Sequence, residues 1–217
     1  MQLAQLARPD QVLDWVRQTT FARTEYGRSV LQYLQKVKTF YWDEAVKTAA
    51  IEKTAVGTVI RVAPGFYRQH LQSTANLAFV LLHEASHSWR SDFSRFVPGL
   101  NLSWRSIANF TSDLFVNAAL FRNGFPLRED LTVRLYEPDG LEFFLLPPHQ
   151  LLKKFHKDSS AEKELNEYCP DYSPQSRPAP GSQFYRLKSW LYERAAGDIN
   201  WLRPSESKQG FERLFEA

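Results

Sequence analysis

Two histidines and a glutamate are grouped at His83-Glu84-Ala85-Ser86-His87, late in the apolar run LAFVLLHEASHSWRSDF. On a helix, residues four apart lie one above the other on the same face. Two imidazoles so placed can bind one metal ion, and the glutamate between them can act as a base on a metal-activated water. The chain has 5 histidines in 217 residues. An H-E-x-x-H string arises by chance in about 1% of such chains, so the spacing is informative.

A catalytic zinc site takes three protein ligands and keeps one position open. A histidine six residues past His87 is excluded, because Phe93 stands there. From Ser88 to Arg128 there is no histidine, cysteine or glutamate, and the only acids are Asp92 and Asp113. If the helix continues, Asp92 is rotated away from the histidine face. Asp113 lies inside a second apolar helical stretch, with Asn109 and Asn117 four residues to either side. An aspartate in an apolar helix needs a partner or a metal. Asp113 is therefore the expected third ligand, with Asn109 and Asn117 supporting the carboxylate or touching substrate. The expected cofactor is one zinc ion (Zn2+). The expected chemistry is hydrolysis of an amide bond, with Glu84 taking a proton from the attacking water and passing it to the leaving nitrogen. An oxyanion donor is also required, and Tyr136, Asn117 and His149 stay open as candidates.

The elements that must position these groups follow from periodicity. Residues 10–22 and 26–40 are predicted as amphipathic helices, through Val12, Leu13, Trp15 and Val16, then Val30, Leu31, Leu34 and Val37. TVIRV after Gly57 is a predicted strand, rich in β-branched residues and ended by Pro64, that would pair with a segment further on. PGFYRQHL reads as a turn, and His70 as a surface or packing residue. Ser73 or Thr74 caps the HEASH helix, which should run to about Arg90 with Ala78, Leu81, Leu82, Ala85 and Trp89 as its buried stripe. A connection broken by Pro98 and Gly99 leads to a helix from about Trp104 to Arg122. Its inward residues are Ile107, Phe110, Leu114, Ala118 and Phe121, and it stops before Asn123-Gly124.

Residues 131–148 read as a hairpin around Glu137-Pro138-Asp139-Gly140, and Lys153, Lys154, His156 and Lys157 as a solvated basic helix face. The predicted fold class is α+β, mainly helical. Its expected core is zincin-like, with the HExxH helix, a second ligand-bearing helix and a small sheet or hairpin. The expected organisation is a domain over 1–169, a Pro/Ser-rich linker over 170–182 and a helical extension over 183–217.

Bulk properties narrow the function classes. A 43% hydrophobic fraction supports a sizeable core, and no apolar run reaches membrane-spanning length. The N-terminal residues lack the basic and apolar regions of a signal peptide. Cys169 is the single cysteine, so no internal disulfide forms, and a reducing, cytoplasmic location is expected. A net charge of +3 without a reader motif gives no reason to expect nucleic acid as a partner.

The run GTVIRVAPGFYRQHLQSTANLAFVLLHEASHSWR, then NFTSDLFVN, then NGFPL, resembles the bacterial metallopeptidase domains that accompany von Willebrand A-like domains and MoxR-type AAA ATPases. That family pairs an H-E-x-x-H helix with a helix carrying N-x-x-x-D-x-x-x-N, followed by a glycine and a proline. Here Asn109, Asp113 and Asn117 meet the second pattern, and Gly124 and Pro126 follow. The resemblance covers about residues 45–130. It implies His83, His87 and Asp113 as metal ligands, Glu84 as acid/base, and a protein or peptide substrate. There are departures: Ala108 stands where the family often has tryptophan, and Ala63-Pro64 where Asn-Pro is common. Asp158-Ser159-Ser160 does not match a D-x-S-x-S metal-adhesion motif. The implied protein is a stand-alone module whose ATPase or von Willebrand A partner is a separate chain. The alternative is a catalytically silent, zinc-stabilised adaptor or scaffold in the same system.

Overall fold

The computed structural model describes residues 9–37, 39–55, 57–90, 102–126, 146, 148–157, 160, 163, 190–191 and 193–194. Among them the fold is α+β and mostly helical. The predicted connection at Pro98-Gly99, the hairpin over 131–148 apart from Leu146 and Pro148, the linker and most of the C-terminal extension lie outside the described residues, as does Tyr136. The chain divides into two compact units, Met1–Phe93 with Ala119–Tyr136, and Ser94–Ala118 with Glu137–Ala217.

The first unit begins with α1 (Pro9–Arg17), whose Val12 and Val16 are buried one turn apart. It ends five residues earlier than the periodicity predicts. Thr19 turns its hydroxyl back onto the Val16 carbonyl at 2.7 Å, a local bond that competes with helix continuation. A 3-10 turn over Phe21–Arg23 follows. In α2 (Glu25–Gln35) the Thr24 side chain caps the N-terminus by accepting from the Gly27 amide, and Val30, Leu31 and Leu34 are buried.

The predicted second helix stops at Gln35, because residues 39–42 form β1 (Thr39–Trp42). With β2 (Ala49–Thr54) and β3 (Gly57–Val62) it makes a sheet of order β1-β3-β2. β3 is the predicted strand, and it is central. Both its partners precede it in the chain, not follow it: β1 is parallel, with Thr39 opposite Val59, and β2 is antiparallel, with Ile51 opposite Ile60. Ile60 and Val62 are fully buried. Arg61 forms ion pairs of 3.0 Å with Asp43 and with Glu52 of β2.

PGFYRQH is a short helix, α3 (Pro64–His70), not a turn. Proline at the first helical position has φ already set and no amide hydrogen to leave unpaired. His70 packs its ring on Phe66.

The HEASH helix is α4 (Thr74–Trp89), and the Ser73 hydroxyl caps it by accepting from the Asn76 amide at 3.1 Å. Its burial is broader than one stripe. Leu81 and Leu82 are enclosed, and so are Phe79 and Val80 on the adjoining face. A helix apolar on most sides belongs in a core. Trp89, assigned to the stripe, is 39% exposed at the last helical position, with its ring edge-on to Tyr26 of α2.

The helix expected to carry the third ligand is α5 (Leu102–Arg122). Its last residues, 119–122, belong to the first unit. It ends in a Schellman turn: the Gly124 amide donates to Phe121 and the Phe125 amide to Leu120. Gly124 has φ of 81°, the left-handed conformation this turn requires. Its carbonyl accepts from Thr20 at 2.8 Å. Phe79, Phe121 and Phe125 pack together here, with centroids 5.4 to 6.3 Å apart.

In the second unit, Ala108, Leu114 and Ala118 of α5 are buried, as are Leu151 of α6 (Pro148–Lys157), Trp190 and Leu191. On α6, Lys153 and Lys157 are exposed and Lys154 is half-buried, while the side chain of His156 lies outside the described residues. No helix among the described residues is long and apolar enough to cross a membrane.

Candidate metal centre

Residue spacing along α4 builds one side of the site. Phe79, His83 and His87 follow at steps of four, so their rings rise along one face. The Phe79 and His83 rings are 6.2 Å apart, and those of His83 and His87 are 4.6 Å apart and nearly perpendicular. The two Nε2 atoms face each other at 3.0 Å. Two imidazoles this close cannot both carry a proton on Nε2. One donates to the other, or both present lone pairs to a cation. Two ligands each 2.0–2.1 Å from a tetrahedral ion lie about 3.3 Å apart, so the observed separation is close to what a bound ion demands.

α5 brings the carboxylate. Among the described residues His83, His87 and Asp113 form a group whose ligand atoms all lie within 4.8 Å of one another. Phe121, two turns beyond Asp113 in α5, stacks on Phe79, which lies two turns before His87 in α4. His87 is 2% exposed, Asp113 is 8% exposed and His83 is half-buried.

Two nitrogens and one oxygen suit a borderline divalent cation, with zinc the usual choice for such a set. Three protein ligands leave a position for water or substrate. The residues present could therefore hold a metal ion.

The other sequence-selected residues fall around this group. Glu84, next to His83 and about 100° round the helix, is half-buried. Asn117 is fully buried and Asn109 half-buried, one turn to either side of Asp113. The asparagine-aspartate ridge is thus turned away from solvent along most of its length. Of the open oxyanion candidates, only Asn117 has a described side chain.

Sequence reasoning passed over several hydroxyls. Ser86, inside HEASH, is fully buried and donates to the Leu82 carbonyl at 2.7 Å. Ser88, directly after His87, shares a hydrogen bond of 2.5 Å with the Tyr33 hydroxyl of α2. Nothing in the α2 pattern marks Tyr33, which reads as one more residue on an amphipathic helix. Thr111 and Ser112 are buried beside Asp113, and Thr111 donates to the Ala108 carbonyl.

Comparison with protein-family models, with curated proteins and with solved structures returns no match. The site's chemistry rests on its own residues.

Proposed function

We propose that this chain is a zinc-dependent peptidase, in which His83, His87 and Asp113 hold one ion and Glu84 is the general base. The observation that carries the proposal is the convergence of three ligand atoms within 4.8 Å, from two helices, with Glu84 next to His83 in the chain. A zinc ion there supplies Lewis acidity toward an amide carbonyl and lowers the pKa of a water to about 7. Glu84 accepts the proton of the attacking water and returns it to the leaving nitrogen. His83 and His87 keep their Nε2 lone pairs on one side of α4, held by helical spacing. Burial of Asp113 favours its use as a ligand, since water competes poorly for a site it barely reaches. Asn109 and Asn117, one turn to either side of Asp113, are assigned to supporting that carboxylate or touching substrate. The core is read as zincin-like: an HExxH helix, a helix bearing the third ligand and a small sheet. A protein or peptide is the substrate, in the cytoplasm. By the family resemblance, a MoxR-type ATPase and a von Willebrand A-like protein are the proposed partners.

A second reading has its own support. His87 and Asp113 are closed off from solvent, as ligands of a structural ion are, and a zinc-stabilised adaptor needs nothing more. Glu84 separates the two readings, because it is half-exposed beside the histidines and is no ligand. The test is proteomic cleavage profiling of cells expressing wild type or Glu84→Gln. Cleavages present with wild type and missing with Glu84→Gln support the peptidase. Identical profiles, with zinc bound in both proteins, support the adaptor.

A further inference from the structure

His87 stands in the last turn of α4, which ends at Trp89 with Arg90 as its cap. Helix ends fray, because their final carbonyls lack intrahelical partners. A metal ligand there holds its place only if something outside the helix fixes the turn. The 3.0 Å approach of the two Nε2 atoms depends on that turn staying helical.

The outside support comes from α2. Tyr33 reaches across to Ser88, the residue after His87, and its hydroxyl also lies 3.4 Å from the Thr58 hydroxyl of β3. Thr58, Tyr33 and Ser88 thus form a chain of hydroxyls joining strand, helix and the end of the histidine helix. Tyr26, two turns before Tyr33 on α2, packs edge-on against Trp89 at 5.4 Å. The two residues that follow His87 are therefore each held by a tyrosine of α2. Ser88 is 8% exposed, so water is a poor substitute for the tyrosine hydroxyl.

We propose that Tyr33 is a positioning residue for the metal centre: through Ser88 it holds the last turn of α4 and so fixes His87 against His83. This rests on the metal-centre reading above. Tyr33 touches neither the ion nor substrate, and its effect reaches the site through the backbone of one turn. Groups that orient ligands typically contribute about 10- to 100-fold to metal affinity.

The test compares zinc affinity, by competition with a chromophoric chelator, and the visible absorption of the cobalt(II)-loaded protein. Tyr33→Phe keeps the ring and removes the hydroxyl, and Ser88→Ala removes its partner. Each is expected to weaken zinc binding about 10- to 100-fold and to change the cobalt spectrum. Val16→Ala leaves a cavity in α1, and it should lower stability while leaving both metal readings as in wild type. The double variant Tyr33→Phe/Ser88→Ala removes both partners of the short bond and takes from Thr58 only its longer 3.4 Å contact, so stability should recover partway toward wild type while affinity stays low. If both single variants bind zinc as wild type does, with an unchanged cobalt spectrum, the inference is overturned and the metal centre stands. Recovery of affinity together with stability in the double variant also overturns it. A wild type that takes up neither metal overturns the metal centre and this inference with it.

Discussion

Asp113→Asn tests the residue that sequence spacing left most exposed to doubt. The substitution keeps the shape of the side chain and one oxygen, and removes the negative charge. Structural zinc sites are worth about 10–16 kcal/mol over four ligands, so one charged ligand contributes about 2.5 to 4 kcal/mol. Asp113 is only 8% exposed, which limits replacement by solvent water. Loss of that contribution corresponds to about 100- to 1000-fold weaker binding. The amide oxygen remains a poor ligand, so Asp113→Asn should sit near the lower figure and Asp113→Ala near the upper. The assay is competition for zinc against a chelator of known affinity at neutral pH. Asp14→Asn is the control: it removes a carboxylate of α1 that is exposed and paired with Arg17 on the surface, and it should leave affinity unchanged. An Asp113→Asn protein that is folded and binds zinc as wild type does would refute Asp113 as a ligand and the three-residue group with it.

Other outcomes follow from the same structure. On the proposed peptidase reading, Glu84→Gln should keep zinc affinity within a few-fold while abolishing turnover, since there the carboxylate would move a proton and not hold the ion; metal analysis beside a cleavage assay checks both. Removing the ion with a chelator should lower the melting temperature by about 5 to 10 °C, from about 2.7 kcal/mol at a hundredfold excess of zinc over its dissociation constant. Gly124→Ala should cost about 1–2 kcal/mol, because φ of 81° is unfavourable for alanine and the new Cβ would lie 2.8 Å from the Thr20 hydroxyl oxygen. Ser73→Ala should cost about 1 kcal/mol by removing the cap of α4, and chemical denaturation measures both.

How much of this was legible depended on which force placed each segment. α4 and its Ser73 cap were readable because a polar capping residue precedes a long apolar run. The α5 stop was readable because Gly124 suits a left-handed turn. β3 was readable because four β-branched residues crowd into five positions. Its neighbours were not. β1 is four residues, TFYW, directly after a helix whose spacing extends through Val37, so local pattern favours more helix. Pairing with Val59 to Val62 settles it instead. β2 contains two alanines, a glutamate and a lysine, residues with little strand preference, and it forms because β3 offers an edge and Arg61 offers a charge to Glu52.

The candidate site divides in the same way. His83, Glu84 and His87 are a local pattern, legible at once. Asp113 is thirty residues away in sequence from His83 and was reached by eliminating other ligands. Tyr33 carries no signal in the sequence, because its importance comes from lying opposite Ser88, 55 positions further along the chain.

The most direct measurement of the central claim is metal content per chain. Wild type purified from zinc-supplemented cells and dialysed against metal-free buffer should retain about one zinc per molecule. The folded His83→Ala/His87→Ala variant should retain almost none. A metal-free wild type, or a double variant that holds as much zinc as wild type, would contradict the assignment of His83, His87 and Asp113 as a metal centre.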